Sequence, residues 1–499
     1  MKNIRNKFKR IIFESQNIKE ALITATFLRF ISRILGYFRN LMIAVWIGYG
    51  FGTDAYFMAI SIAGIFMIFT DVFDTLGVPT IVNEKAKGNK NYERMLRTLL
   101  TFTVLLATVL SALAILLAPV LPYIAVGMSL KAKTITEYMI LLLTPYIFSS
   151  FIFHHFGAIF RADNKYQYFY IAQFIISTVS LVSFFLLIKL LGATPYFIPI
   201  SMSLGTLAGT IFLVVLGREN LKFGIKLNDT TKKLVHEFLF LSLLYSLGII
   251  SGVVDKIYAS ILPSKSITAL GFGTMITGAV LSITGFGNVF ITRLSESNGE
   301  KYVFTKFLNF NLFIMIPIVF FIYFNAHEIT KIIFGYGLVT SKEINITSIV
   351  IKYFAFMIPL AGIWAIIFRE IQILKRLDIF LIGSPLFILI TIIANYIFVV
   401  TLKYGLLGIA LGTITSYLFI IIYCFYFLNK WDKVDIKKLL LVRYDMLFLV
   451  IAAIFFLSRY LEIKNLYFDI IFKGLIFGLF FLFFIFFEFH KKKSYNNLY

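Results

Sequence analysis

The sequence predicts an all-α polytopic membrane protein, with about fourteen transmembrane helices arranged as two six-helix lobes in a pseudo-twofold relation plus two C-terminal helices. Three observations predict it. The chain has 499 residues, 60% of them hydrophobic and only 14% charged, and a mean hydropathy of +0.89, so a soluble globule would have nowhere to put its apolar surface. Apolar runs of about 20 residues or more recur along the whole length between short polar stretches, as helices that satisfy their own backbone groups in lipid require. The runs are continuous and lack dyad alternation, which favours helices over a barrel. Finally, one part of the sequence echoes another.

In chain order, residues 1–22 open with MKNIRNKFKR and form a cytoplasmic tail. The apolar run behind it is much longer than a signal-peptide core, so no cleaved signal is expected. Six spans follow at 23–48, 55–83, 98–126, 135–160, 168–190 and 195–217, an N-terminal lobe over 23–217. A basic linker at 218–235 leads to a second lobe over 236–428, with spans at 236–262, 268–292, 307–326, 346–369, 379–400 and 405–428. A helix pair at 442–460 and 467–488 fills 429–488, and 489–499 is a second basic tail. The division into lobes rests on repeats. PYIFSSFIFHHFGAIFRADNKYQYFYIAQFIIS, from Pro145, resembles PLAGIWAIIFREIQILKRLDIFLIGSPLFILI, from Pro359, pairing Phe160-Arg161 with Phe368-Arg369. A second echo links DTLGVPTIVNEKAKGNKNY to TGFGNVFITRLSESNGEKY. Parallel duplication of this kind is transporter architecture, with the substrate site at the lobe interface near the midplane.

The net charge of +22 lies in short loops, so it orients the chain in a membrane and does not imply nucleic acid. The stretches EKAKGNKNYERMLR, GRENLKFGIKLNDTTKK, FREIQILKRLD, NKWDKVDIKK and HKKKSYNNLY, with the N-terminal tail, hold about thirty Lys and Arg against about nine in the alternate loops. Both termini are therefore expected in the cytoplasm. No polar connection is long enough for a soluble active site, so binding must occur between helices and no enzyme activity is expected. HExxH, paired CxxC and P-loop motifs are absent from the sequence, and no metal or cofactor is expected. The lone Cys424 cannot form an internal disulfide.

Three arginines, Arg29, Arg33 and Arg39, interrupt the first span in FLRFISRILGYFRN. Each costs about 2.5 to 3.5 kcal/mol at a helix centre on insertion scales, so they are expected to hold an anion. Arg29 and Arg33 share a helix face. Arg39 lies about 120° round from Arg33 on an ideal helix, and a bend near Gly36 would bring all three to one cavity. Asp71 and Asp74 in the second span lie at the depth of Arg29 and Arg33, positioned for ion pairs or gating across the hairpin. Asp54 opens the second span, where an acidic N-cap is also ordinary. Asp255-Lys256, in the seventh span, is a local pair or a gate. His154 and His155 suit either packing or a proton relay. The Phe-rich LIFGLFFLFFIFFEF faces lipid.

The stretch SRILGYFRNLMIAVWIGYGFGTDAYFMA, residues 32–59, resembles the first-helix signature of the MurJ/MviN lipid II flippases of the multidrug/oligosaccharidyl-lipid/polysaccharide exporter superfamily. The match includes Arg33 and Arg39, six residues apart, and Asp54-Ala55. Two departures stand beside it. The second helix reads ISIAGIFMIF where the family carries Pro-Asn and an arginine pair, and the eighth helix lacks the family's arginine. SGVVDKIYASILPSKSITALGFG, with Asp255-Lys256, is similar to the related Wzx-type flippases of O-antigen and capsule units. The resemblance implies a flippase of the bacterial cytoplasmic membrane that moves an undecaprenyl-diphosphate-linked glycan outward by alternating access, with Arg33 and Arg39, and Arg29 behind them, on the diphosphate. It also implies an outer gate at Asp54, and a groove for the prenyl tail at the last two helices. Lipid-linked oligosaccharide and membrane lipids are the implied partners, in a monomer that binds no nucleic acid. An inside-negative potential favours outward movement of anions by about 2.3 kcal/mol per charge per 100 mV, which leaves the coupling ion open. The alternatives are a Wzx-type capsule or O-antigen flippase, a MATE-like drug or cation antiporter, a glycan polymerase or ligase, and a scaffold without transport.

Overall fold

The computed structural model describes residues 18–72, 77–87, 89–225, 229–284, 301–374, 376–431, 444–461, 463, 465–479 and 482. Among these, eight helices are long and apolar enough to cross a membrane, or nine if the bent pair Ser341–Phe354 and Met357–Ile373 is one span. Phe51–Phe66, Ser266–Leu281 and Leu449–Tyr460 are apolar but shorter. Contacts divide the chain into two compact units, Met1–Thr268 and Ala269–Tyr499. The helix assigned by the repeats to the second lobe, residues 236–262, therefore packs with the first unit.

In the first unit, α1 (Ile18–Met42) runs on as a π-helical segment, Ile43–Ile47, ended by Gly48 at φ 75°. No break in the helix falls at Gly36. α-Helical geometry continues through Gly36, and the irregularity falls after Met42, where Trp46 packs 5.7 Å from Phe185 of α6 (Tyr166–Leu191). The expected span 55–83 is also segmented. α2 (Phe51–Phe66) stops where Met67 N–H divides its bond between Ala63 O at 3.2 Å and Gly64 O at 3.0 Å. Thr70 Oγ1 then takes the Met67 carbonyl at 2.8 Å, a side-chain bond that competes with the helix ladder. α3 (Val78–Lys87) starts afresh with Pro79 in its first turn, where a missing N–H costs nothing.

α4 (Asn89–Leu117), α5 (Leu130–Ala162), α6 and α7 (Phe197–Leu216) complete the bundle. Leu100, Phe153, Phe156, Phe160, Phe169 and Leu213 form a core cluster among these four helices. α6 and α7 approach closely because Gly205 and Gly209 present no side chain: a Cβ on Gly205 would lie 2.6 Å from Ile176 O. α5 passes through Pro145 unbroken. Hydroxyls on α7 donate to α5 carbonyls on either side of that proline, Ser203 to Leu142 O at 2.8 Å and Thr210 to Ser149 O at 3.1 Å, so the weakened ladder is braced from outside. α8 (Asp229–Ser260) packs on α2, and α9 (Ser266–Thr284) begins at the end of this unit.

The second unit holds α10 (Lys301–Phe324), α11 (Ala326–Phe334), α12 (Ser341–Phe354), α13 (Met357–Ile373), α14 (Phe380–Asn395), α15 (Gly405–Lys430) and α16 (Tyr444–Tyr460). The expected span 346–369 is two helices, α12 and α13, bent by 41°. Pro359 supplies no N–H to Ala355 O, which instead takes Ile358 N–H at 3.0 Å in a tighter turn. Pro145 and Pro359, paired by the repeat, thus behave differently. Gly412 on α15 admits Asn395 of α14, and Gly408 admits the π-helical segment Tyr396–Thr401 that follows it, as Gly205 and Gly209 admit α6. The terminal helices dock on α10: Asn325 Nδ2 donates to Ser458 at 2.9 Å, and Phe321 stacks on Phe477 at 5.3 Å.

Candidate functional site

α1 turns its three arginines into different surroundings. Arg29 is exposed, while Arg33 and Arg39 are half-buried. Arg39 Nη2 donates to Asn40 Oδ1 at 3.3 Å, whereas its Nε is shut from solvent without a hydrogen-bond partner. Arg39 also lies within electrostatic reach of Tyr56 on α2. A half-buried guanidinium with an unused donor in an apolar helix is costly unless something anionic visits it.

Asp54 is nearly buried on α2 and does not cap its own helix. Its carboxylate accepts Lys265 N–H at 2.9 Å on Oδ2, and Thr268 N–H at 2.8 Å and Thr268 Oγ1–H at 2.6 Å on Oδ1. These are the N-cap and third-residue donors of α9. One side chain from a distant helix thus supplies both acceptors of a capping box, with charge favourable at a helix N-terminus. Thr53 joins it, its Oγ1 lying 3.1 Å from Thr268 Oγ1 and accepting Gly50 N–H at 2.9 Å. Thr268 and Lys265 escaped the sequence reading. Their signal is that α9 opens behind Lys265, a side chain with no acceptor to cap it.

Asp255 is buried on α8. Lys256 next to it is half-buried, and its Nζ reaches Ser61 Oγ of α2 at 2.5 Å. α2 is therefore tied to two later helices, by Asp54 to the start of α9 and by Ser61 to α8. The turn Thr70–Val72 carries Asp71, but its side chain, and all of Asp74, lie outside the described residues. His155 is buried in α5, with its Nδ1 hydrogen-bonded to Thr103 Oγ1 of α4 at 3.1 Å. Among the described residues no group of three His, Cys, Asp or Glu is placed to hold a metal ion. Cys424 is buried within α15.

Spanning helices in two units, with half-buried arginines on the first span, define a multi-pass helical membrane protein of the transporter class. The family model described as lipid II flippase MurJ matches residues 43–481. This chain belongs to that family, whose members are transporters rather than catalysts. A probable lipid II flippase MurJ of Buchnera aphidicola subsp. Baizongia pistaciae is 24% identical over 444 residues, 82% of this chain and 83% of the relative. A solved lipid II flippase MurJ in an inward closed conformation has a TM-score of 0.78 at 21% identity, over 95% of this chain and 99% of that one. An inward-facing multidrug resistance MATE family transporter of the MOP superfamily has a TM-score of 0.62 at 13% identity, over 83% and 99%. The last two likenesses concern the fold.

Proposed function

We propose that this protein moves a lipid II-like, undecaprenyl-diphosphate-linked glycan from the inner to the outer leaflet of the bacterial cytoplasmic membrane by alternating access. The observation that carries the proposal is the half-buried Arg39, with an unused Nε donor, six residues beyond Arg33 on the first span of a lipid II flippase family member. Guanidinium forks grip phosphate oxygens bidentately and stay charged at any relevant pH. The sugar head then needs only a hydrated path, and the polyprenyl chain stays in lipid.

Positive-inside loops put both termini in the cytoplasm, so the Asp54 cap on α9 lies toward the outer face. It holds the outer ends of α2 and α9 together while the arginines are served from within, and it has to open for release. No covalent step is involved. Membrane potential drives the anionic head outward. A cation antiporter of similar fold would be expected to carry an acid in the first helix, whereas α1 offers arginines.

Complementation tests the reading. A tester bacterium is depleted of its lipid II flippase, this chain is expressed, and surface lipid II is followed beside a capsule-precursor assay. Rescue of growth with surface lipid II is the expected result. Rescue of surface polysaccharide alone assigns the Wzx-type role, and rescue of neither refutes both.

A further inference from the structure

The Lys256 to Ser61 contact has no role in diphosphate capture by α1 or in the Asp54 cap. An ammonium in a membrane helix is expensive, yet its hydrogen bond at 2.5 Å goes to a neutral hydroxyl on another helix, although Asp255 stands beside it in sequence and acts on it electrostatically. Ser61 passes its own proton to Phe57 O at 3.0 Å, so its oxygen is free to accept. One of the three ammonium donors is thereby used. Along their helices, Arg39 lies about 12 Å before the turn at Gly48–Gly50 and Ser61 about 15 Å after it, at 1.5 Å per residue. The amine thus meets α2 at a depth similar to that of the Arg39 guanidinium.

We propose that Lys256 is a phosphate contact whose ammonium is parked on Ser61 until an anion arrives. A phosphate oxygen forms a charge-assisted bond stronger than the one the hydroxyl offers, so it takes the ammonium and breaks the tie between α2 and α8. The Asp54 cap on the start of α9 is unaffected by that step. Lys256 thus supplies a cation beyond those of α1, in a chain whose second and eighth spans lack arginines. The inference rests on the flippase reading, since that reading supplies the phosphate.

The test is direct binding of undecaprenyl diphosphate to the purified full-length protein in nanodiscs, with uncharged undecaprenol as control. Lys256→Gln keeps a donor for Ser61 but removes the charge, and should weaken undecaprenyl diphosphate binding about tenfold while leaving undecaprenol unchanged. Lys256→Arg should recover most of the loss. Ser61→Ala frees the ammonium and should leave binding equal or tighter. Binding of Lys256→Gln within twofold of the parent overturns the proposal, and so does a Ser61→Ala loss as large as that of Lys256→Gln, which would make the tie structural. Should Lys256→Gln fail to accumulate, Lys256→Met, which also removes the charge, is judged by the same twofold criterion, and Ser61→Ala by its own. If the parent protein itself does not prefer the diphosphate over undecaprenol, the flippase reading falls and takes this one with it. If it does, failure of the variants removes Lys256 alone.

Discussion

The Asp54 carboxylate of α2 accepts the backbone amide of Thr268 at 2.8 Å and its hydroxyl at 2.6 Å, across more than two hundred residues of chain. A helix N-terminus ordinarily finds its cap one residue away. Here the acceptor comes from a different helix, so the end of α9 is satisfied only while α2 stays in place. Such a cap ties the stability of one helix end to the position of another helix.

Asp54→Asn should show both sides of this. The amide keeps one acceptor oxygen but turns an NH2 toward a backbone donor and removes the charge, so three charge-assisted bonds are lost or weakened. A loss of about 2 kcal/mol is expected, read as a lower unfolding temperature in detergent. A cysteine pair placed at Thr53 and Thr268 should crosslink less readily in this background. Unchanged crosslinking would mean that other contacts hold the cap.

For the anion site, Arg39→Gln and Arg33→Gln should each reduce export of lipid-linked precursor about tenfold or more in the depletion assay, at normal protein level. Arg39→Lys should fall between, because a point charge replaces a planar fork. Arg29→Gln should have the smallest effect, since that side chain is exposed. Equal losses at all three positions would point to net charge as the cause, with no role for geometry.

Two glycines separate space from helix propensity. Gly205→Ala places a Cβ 2.6 Å from Ile176 O and against Ser180, forcing α6 from α7 at a cost of about 1–3 kcal/mol. Protein level and unfolding temperature should both fall. Gly36→Ala meets nothing within 4 Å in a helix that is already continuous, and should stabilise it by up to about 1 kcal/mol. If Gly36→Ala instead abolishes transport while the protein accumulates, α1 must bend there during the cycle.

The helix over residues 466–479 carries a buried ion pair, Lys473 Nζ to Asp469 Oδ2 at 2.6 Å, with Ile463 N–H on the other carboxylate oxygen at 3.0 Å. Removing one partner strands the other, so Lys473→Met should cost about 3–5 kcal/mol and lower the level of inserted protein. Combining it with Asp469→Asn should restore much of the loss. If the double variant is as poor as the single one, the pair does more than neutralise itself.

Much of the architecture was legible because lipid leaves the chain few options: apolar runs must be helices, and basic loops reveal their spacing. The segmentation was harder to see. Nothing in IAGIFMIFTDV announces that α2 stops at Phe66, because a threonine hydroxyl and one amide with two carbonyl partners decide it locally. Nor does the sequence separate Pro145 from Pro359. What separates them is Ser203 and Thr210 of α7, which brace the first, while α12 and α13 bend at the second.

By itself the sequence determined the all-helical class, the position of most spans, the family motif and the cations on the first of them, since burial cost and hydropathy are properties of residue type and local order. The tertiary structure decided which groups those residues meet. Asp54 became the cap of α9 and Lys256 the partner of Ser61 because hydrogen bonds act over about 3 Å, and only folding brings residues this far apart in sequence within that distance.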